Sequence, residues 1–181
     1  MTVTSTIRIE RWAPEPRVLG KEIAMLGEVL RACVQAGASV SFILPFSHDD
    51  ANSFWRSKVF PGVESGLCRV LVARSEGRIL GTVQLDLATP PNQPHRAEVR
   101  KLLVHPNVRR QGIARALMVE IEQQAREAGR DLLTLDTTTG GFAESLYRSL
   151  GYVTVGVIPR YSLKVDSPAL DPTTVMYKSL V

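Results

Sequence analysis

The sequence predicts one α/β domain spanning 1–181, built on a mixed sheet. Three observations carry that prediction. Runs of strand period and runs of helix period alternate along the chain. The residues Val99, Leu102, Leu103 and Val104, a helical stripe from Gly112 and a second apolar run from Leu132 have the layout of a parallel strand–helix–strand crossover. The 181 residues, with a formal net charge of +4, contain no repeat, low-complexity tract or linker that would divide them.

The elements follow in the order β-α-α-β-β-β-α-β-α-β-β. Thr4 to Arg11 alternate in the strand manner, with Ile7 and Ile9 on one face, before Pro14 and Pro16 break the pattern. Leu19, Ile23, Leu26, Leu30 and Val34 recur at helical spacing, and Gly37 supplies the stop. After the apolar segment GASVSFILPFS, Ser47-His48-Asp49-Asp50 reads as a capping box for a second helix, which Pro61-Gly62 is expected to end. Leu67 to Ala73 and Ile79 to Leu87 read as a hairpin around Glu76-Gly77. A loop from Thr89 to Pro94 leads into the strand Ala97 to Val104. The helix Gly112 to Ala128 places Ile113, Leu117, Met118, Ile121 and Ala125 on one stripe, and the strand Leu132 to Asp136 follows. A helix carrying Phe142, Leu146 and Leu150 closes at Gly151. Val153 to Ile158 and Thr174 to Leu180 are the last strands, parted by a Pro-rich loop.

Composition narrows the function classes. No apolar run reaches the ~18–20 residues of a membrane span, and MTVTSTIRIERW lacks the layout of a secretory signal, so a cytoplasmic protein without a membrane partner is expected. Cys33 and Cys68 fit two buried thiols better than a disulfide. No His/Cys/Asp cluster has metal-ligand spacing, so no metal is expected. Basic residues are scattered without a block or an aromatic platform, which argues against a nucleic-acid partner. Neither GxxxxGK[ST] nor GxGxxG occurs, which argues against a nucleotide triphosphatase and a dinucleotide dehydrogenase. A monomer or a homodimer is expected.

The turn before the long helix is the richest feature. A helix N-terminus has unpartnered N–H groups and partial positive charge, and a preceding turn of exposed amides can wrap a phosphate. In VHPNVRRQGIARALMVE, Gly112 and Ala114 keep the surface low, while Arg109 and Arg110 add charge at the rim. A solvated turn accounts for the same residues taken alone.

Arg109-Arg110-Gln111-Gly112-Ile113-Ala114 resembles the [RQ]-x-x-G-x-[GA] motif of the GNAT N-acetyltransferase superfamily. Ala143-Glu144-Ser145-Leu146-Tyr147-Arg148-Ser149-Leu150-Gly151-Tyr152 resembles its A-x-x-L-Y-x-x-x-G-[FY] helix end. The likeness covers residues 67–158 well and the first sixty more loosely; GASVSF, RAEVRKLLVHP and LLTLDT are similar to the tabtoxin-resistance acetyltransferases. The resemblance implies a GNAT-like fold: about seven strands, splayed between the fourth and fifth, with about four flanking helices. It implies acetyl-CoA as co-substrate, seated between strands 97–104 and 132–136. The pyrophosphate would lie on the amides from Arg110 to Arg115, so that Gln111 and Ile113 act through their peptide groups. The pantetheine arm would pair with the main chain of Leu102, Leu103 and Val104.

The implied reaction is direct acetyl transfer to a primary amine of a small molecule, an amino-acid-like metabolite or an amine-bearing antibiotic or toxin. Alternatives are a protein lysine or N-terminal acetyltransferase and a non-catalytic acyl-CoA sensor. An alkyl ammonium near pKa ~10.4 must lose a proton, which a carboxylate can take. The oxyanion needs an N–H donor, normally from the central strand. Glu98 on that strand and Asp136 at the end of the next are the candidate bases. A salt bridge to Arg96 or Arg100 is the competing account of Glu98, and helix capping near Gly141 that of Asp136. Tyr147 stands at the family's usual tyrosine and is the candidate acid for the leaving thiolate, with an amphipathic-helix tyrosine as the alternative. Phe42, Phe46, Phe54 and Trp55 are expected to wall the acceptor pocket, although helix packing also explains Phe54 and Trp55. His48, His95 and His105 are weaker candidates.

Overall fold

A computed structural model describes residues 6–181. Strand β1 (Arg8–Arg11) is followed by α1 (Leu19–Gln35), α2 (His48–Phe54), a π-helical turn (Trp55–Val59) and α3 (Phe60–Glu64). Then come β2 (Cys68–Ser75), β3 (Arg78–Asp86), β4 (Arg96–Val104), α4 (Ile113–Glu127), β5 (Leu132–Thr138), α5 (Phe142–Ser149), β6 (Val153–Leu163) and β7 (Leu170–Ser179). The seven strands form one sheet in the order β1-β2-β3-β4-β5-β7-β6. Among the described residues only β4 and β5 pair in parallel. The expected mixed sheet and its crossover are therefore present. Positions 4 and 5 of the expected first strand lie outside the described residues.

Strand alternation sends side chains to two cores. Leu71, Ala73, Val83, Leu85, Ala97 and Val99 pack with α4 on one face. Val70, Val72 and Leu103 pack with α1, Trp12 and Trp55 on the other. Helix α1 ends as its glycine predicts: Gly37 takes φ 84°, while Gly37 and Ala38 donate to the Val34 and Cys33 carbonyls. Its Gly27 lets α2 come close, because a Cβ there would sit 2.1 Å from Asn52 Oδ1.

Two expectations need correction. The Ser47 capping box forms, with Ser47 Oγ accepting from the Asp50 amide and Asp50 Oδ2 from the Ser47 amide. However, Pro61-Gly62 does not end the helical segment. The π-helical turn before it resets the ladder, so Pro61 falls in the first turn of α3, where a missing N–H costs nothing. Nor is the region between the last strands mainly loop, since β6 and β7 reach Leu163 and back to Leu170. Pro159 lies on the outer edge strand, in a bulge between Ile158 and Ser162 that opposes Pro172, so neither proline must supply a ladder N–H. Finally, Trp55 follows the helix-packing alternative: it is a core residue, fully buried, with its ring 6.2 Å from Trp12. Both cysteines are free thiols; Cys33 is buried and Cys68 half-buried, with burial pushing the Cys68 thiol up to about 12.

Candidate active site

The site begins where two strands part. β4 and β5 are matched only at Arg96–Leu132, Ala97–Leu133 and Glu98–Thr134, although β4 runs on to Val104 and β5 to Thr138. Beyond Glu98 and Thr134 the sheet is split, and the β5-facing edge of β4 has no strand partner among the described residues. Strand β5 is held on its other side by β7 along its whole length, down to Thr138–Thr173.

A bulge shapes the β4 wall. Thr82 faces Leu103 and Gln84 faces Arg100, so two steps on β3 span three on β4, and Lys101 takes a left-handed φ of 49°. Leu103 is buried in the α1-side core, while Leu102 and Val104 are half-buried against the α4-side core. The Val104 carbonyl accepts from Cys33 Sγ at 3.4 Å and Arg109 Nε at 3.3 Å.

At the end of β4, His105 caps a short 3-10 turn, Pro106–Val108, through Nδ1 accepting from the Asn107 amide. The chain then enters α4 through left-handed Arg110 (φ 65°) and Gly112 (φ 79°). No side chain caps this helix. Among the described residues, the amides from Arg110 to Arg115 donate no hydrogen bond, and the first helical bond of α4 runs from the Ala116 amide to the Gly112 carbonyl. This is a concave set of unpaired donors at the positive end of a helix of 15 residues. A Cβ on Gly112 would meet no protein atom, so within the fold the glycine answers a backbone requirement. Arg110 stacks 4.9 Å from the Phe142 ring, and Arg115 donates to Ser149 Oγ. Both side chains are thereby drawn toward α5.

The carboxylates differ in their engagement. Both oxygens of Glu98 accept from Arg100 at 2.9 Å, and Asp86, opposite Glu98 on β3, takes the same guanidinium at 2.7 Å. Asp136 is exposed on the parted stretch of β5, and among the described residues its carboxylate accepts one hydrogen bond, on Oδ2 from Thr173 Oγ1 at 3.0 Å. It does not cap α5, where Glu144 takes the Gly140 amide instead. Tyr147 is 6% exposed, with its ring 5.7 Å from Tyr152. Burial first, and then the negative charge of Asp136, pushes its phenol well above the ordinary value.

Phe42 and Phe46, on the segment between α1 and α2, stack at 4.6 Å, and Phe54 meets Phe42 edge-on at 5.1 Å. The tip of the β6–β7 hairpin closes over this segment, with the Leu44 amide donating to the Val165 carbonyl. His48 and His105 both face Glu28, at 3.5 and 3.9 Å. Inspection of the sequence missed Lys101, whose Nζ donates to Ser41 Oγ at 3.1 Å and lies 5.8 Å from the Phe42 and Phe54 ring centres. The available signal was Arg100-Lys101 itself: two adjacent charges inside a central strand imply a break in alternation.

Among the described residues there is no group of His, Cys, Asp and Glu able to hold a metal, and no helix long and apolar enough to cross a membrane. A family model described as an acetyltransferase (GNAT) domain matches residues 66–154. Human N-acetyltransferase 8 is 38% identical over 95 residues, which make up 51% of this chain and 41% of that protein. The chain thus spans about two fifths of the length of that curated relative. Among solved structures, the Salmonella typhimurium protein yncA with its cofactor acetyl-CoA aligns with a TM-score of 0.75 at 18% identity, covering 97% of this chain and 94% of that one. An N-acetyltransferase from Staphylococcus aureus aligns with a TM-score of 0.79 at 16% identity, covering 98% and 100%. These two likenesses are of fold.

Proposed function

We propose that this chain, which over residues 66–154 matches the acetyltransferase (GNAT) domain model, moves the acetyl group of acetyl-CoA to a primary amine of a small molecule. The observation that carries the reading is the run of unpaired amides from Arg110 to Arg115, set beside the parting of β4 and β5. Such a run suits a pyrophosphate, because each oxygen finds a main-chain donor already held in place. Gly112, Ile113 and Ala114 contribute backbone and little bulk, Gln111 contributes its amide, and Arg109 and Arg110 add positive field at the rim. The pantetheine arm is assigned to the open edge of β4 along Leu102, Leu103 and Val104. Acetyl-CoA supplies an activated acyl group and a thiol leaving group.

The rest is done by this chain's own residues. Asp136 is assigned the acceptor's proton: it stands on the parted strand and has one hydrogen bond, whereas Glu98 is clamped at both oxygens by Arg100. Tyr147 is assigned the departing sulfur. Its phenol, raised by burial, is a weaker acid than a thiol of pKa ~8.5, so it stabilises a thiolate by hydrogen bonding and does not surrender its proton outright. Phe42 and Phe46, with Phe54, are assigned the apolar wall on the acceptor side.

The test is free-thiol release from acetyl-CoA across a panel of primary amines, amino acids and amine-bearing antibiotics. Release dependent on the amine is expected. Tight CoA binding with no release for any acceptor would instead identify an acyl-CoA sensor.

A further inference from the structure

Lys101 is a half-buried cation with no ion pair among the described residues. Its one hydrogen bond goes to a neutral hydroxyl, Ser41 Oγ, and its other close neighbours are the faces of Phe42 and Phe54. Of the nearby carboxylates, Glu98 and Asp86 are held by Arg100, and Asp136, on the parted strand, makes no ion pair with Lys101 among the described residues. Two non-glycine residues in left-handed conformation, Lys101 (φ 49°) and Ser41 (φ 75°), meet in this contact. Such outliers persist where surrounding structure enforces them, which is typical of functional sites. A cation stripped of part of its water, with aromatic faces and a hydroxyl for company, gains most from an incoming anion.

We propose that Lys101 recognises a carboxylate on the acceptor, so that the preferred substrates are amines of the amino-acid class. This rests on the acetyl-transfer reading above and specifies its substrate. The bulge in β4 turns Lys101 toward the aromatic acceptor wall, while Asp136 stands on the opposite, parted strand. A negative group on one side and a positive group on the other match a zwitterion in one orientation. Burial and the Arg100 charge lower the affinity of Lys101 for its proton, while Asp136 and Glu98 favour keeping it, and a bound carboxylate would add to the second effect.

The experiment measures kcat/KM by thiol release for amino acids and their decarboxylated counterparts, such as phenylalanine with phenethylamine. The wild-type protein is expected to favour the carboxylated member by about 10²-fold or more. In Lys101→Met and Lys101→Gln that ratio falls toward one, in Lys101→Glu it reverses, and in Lys101→Arg the preference persists. A residue that merely held the Ser41 segment in place would lower both rates and leave the ratio alone. A wild-type ratio near one, or a preference that survives in both neutral variants, overturns the carboxylate assignment while leaving acetyl transfer standing. No release with any acceptor removes both.

Discussion

Tyr147 sits buried in α5 with its phenol raised by burial, and the role assigned to it is a hydrogen bond to the departing sulfur. Its place in the helix-end motif was legible from the sequence; its near-complete burial, and with it the weakness of its acidity, came from the packing of Tyr152 and the surrounding core. Tyr147→Phe is expected to lower kcat about 10²-fold while CoA affinity, read by calorimetry, changes little. Asp136→Asn should lower kcat/KM far more than Glu98→Gln, because only the first removes a carboxylate that is not already clamped; equal losses in steady-state assays would contradict the assignment. Gly112 was legible as a space-giving residue, yet its φ of 79° adds a conformational requirement that no reading of spacing supplies. Gly112→Val therefore carries a left-handed backbone penalty of about 1–2 kcal/mol in addition to its bulk. It should weaken CoA binding strongly; normal binding would remove the phosphate seat from this turn.

At the scale of elements, the signals that worked are local. Capping boxes, C-terminal glycines and apolar stripes are written within one turn or one strand, and α1, α2, α4 and α5 were recovered from them. What failed depends on partners. The β4 bulge at Lys101 is a mismatch of register between β3 and β4, and the strand over Pro159 and Pro172 exists because a bulge on β6 opposes Pro172. The close packing of β3 on β4 offers a direct check. A Cβ on Gly81 would lie 2.8 Å from the Leu103 carbonyl oxygen and 3.3 Å from Ile113, so Gly81→Val is expected to cost about 1–3 kcal/mol, read as a lower thermal midpoint. An unchanged midpoint would mean that β4 can shift, and with it the geometry assigned to the cleft wall.

For the whole molecule, burial of neutral acids fixes the direction of pH dependence. Tyr147, Tyr152 and Cys68 all have folded-state pKa values raised chiefly by burial, so the folded protein holds their protons more tightly than the unfolded chain does. Their contribution is complete below the unfolded values, from about 9 for thiol and 10 for phenol, and is lost as pH rises through the folded ones. Denaturation midpoints should therefore hold through neutral pH and fall steadily above about pH 9. The proposed function requires the α4 terminus, the parting of β4 and β5 and the Phe42–Phe46 wall to share one opening. A crystal structure with CoA bound tests it most directly. Pyrophosphate oxygens are expected on the amides from Arg110 to Arg115, and the thiol between β4 and β5 near Tyr147; CoA bound on any other face, with those amides solvated, would contradict the proposed site.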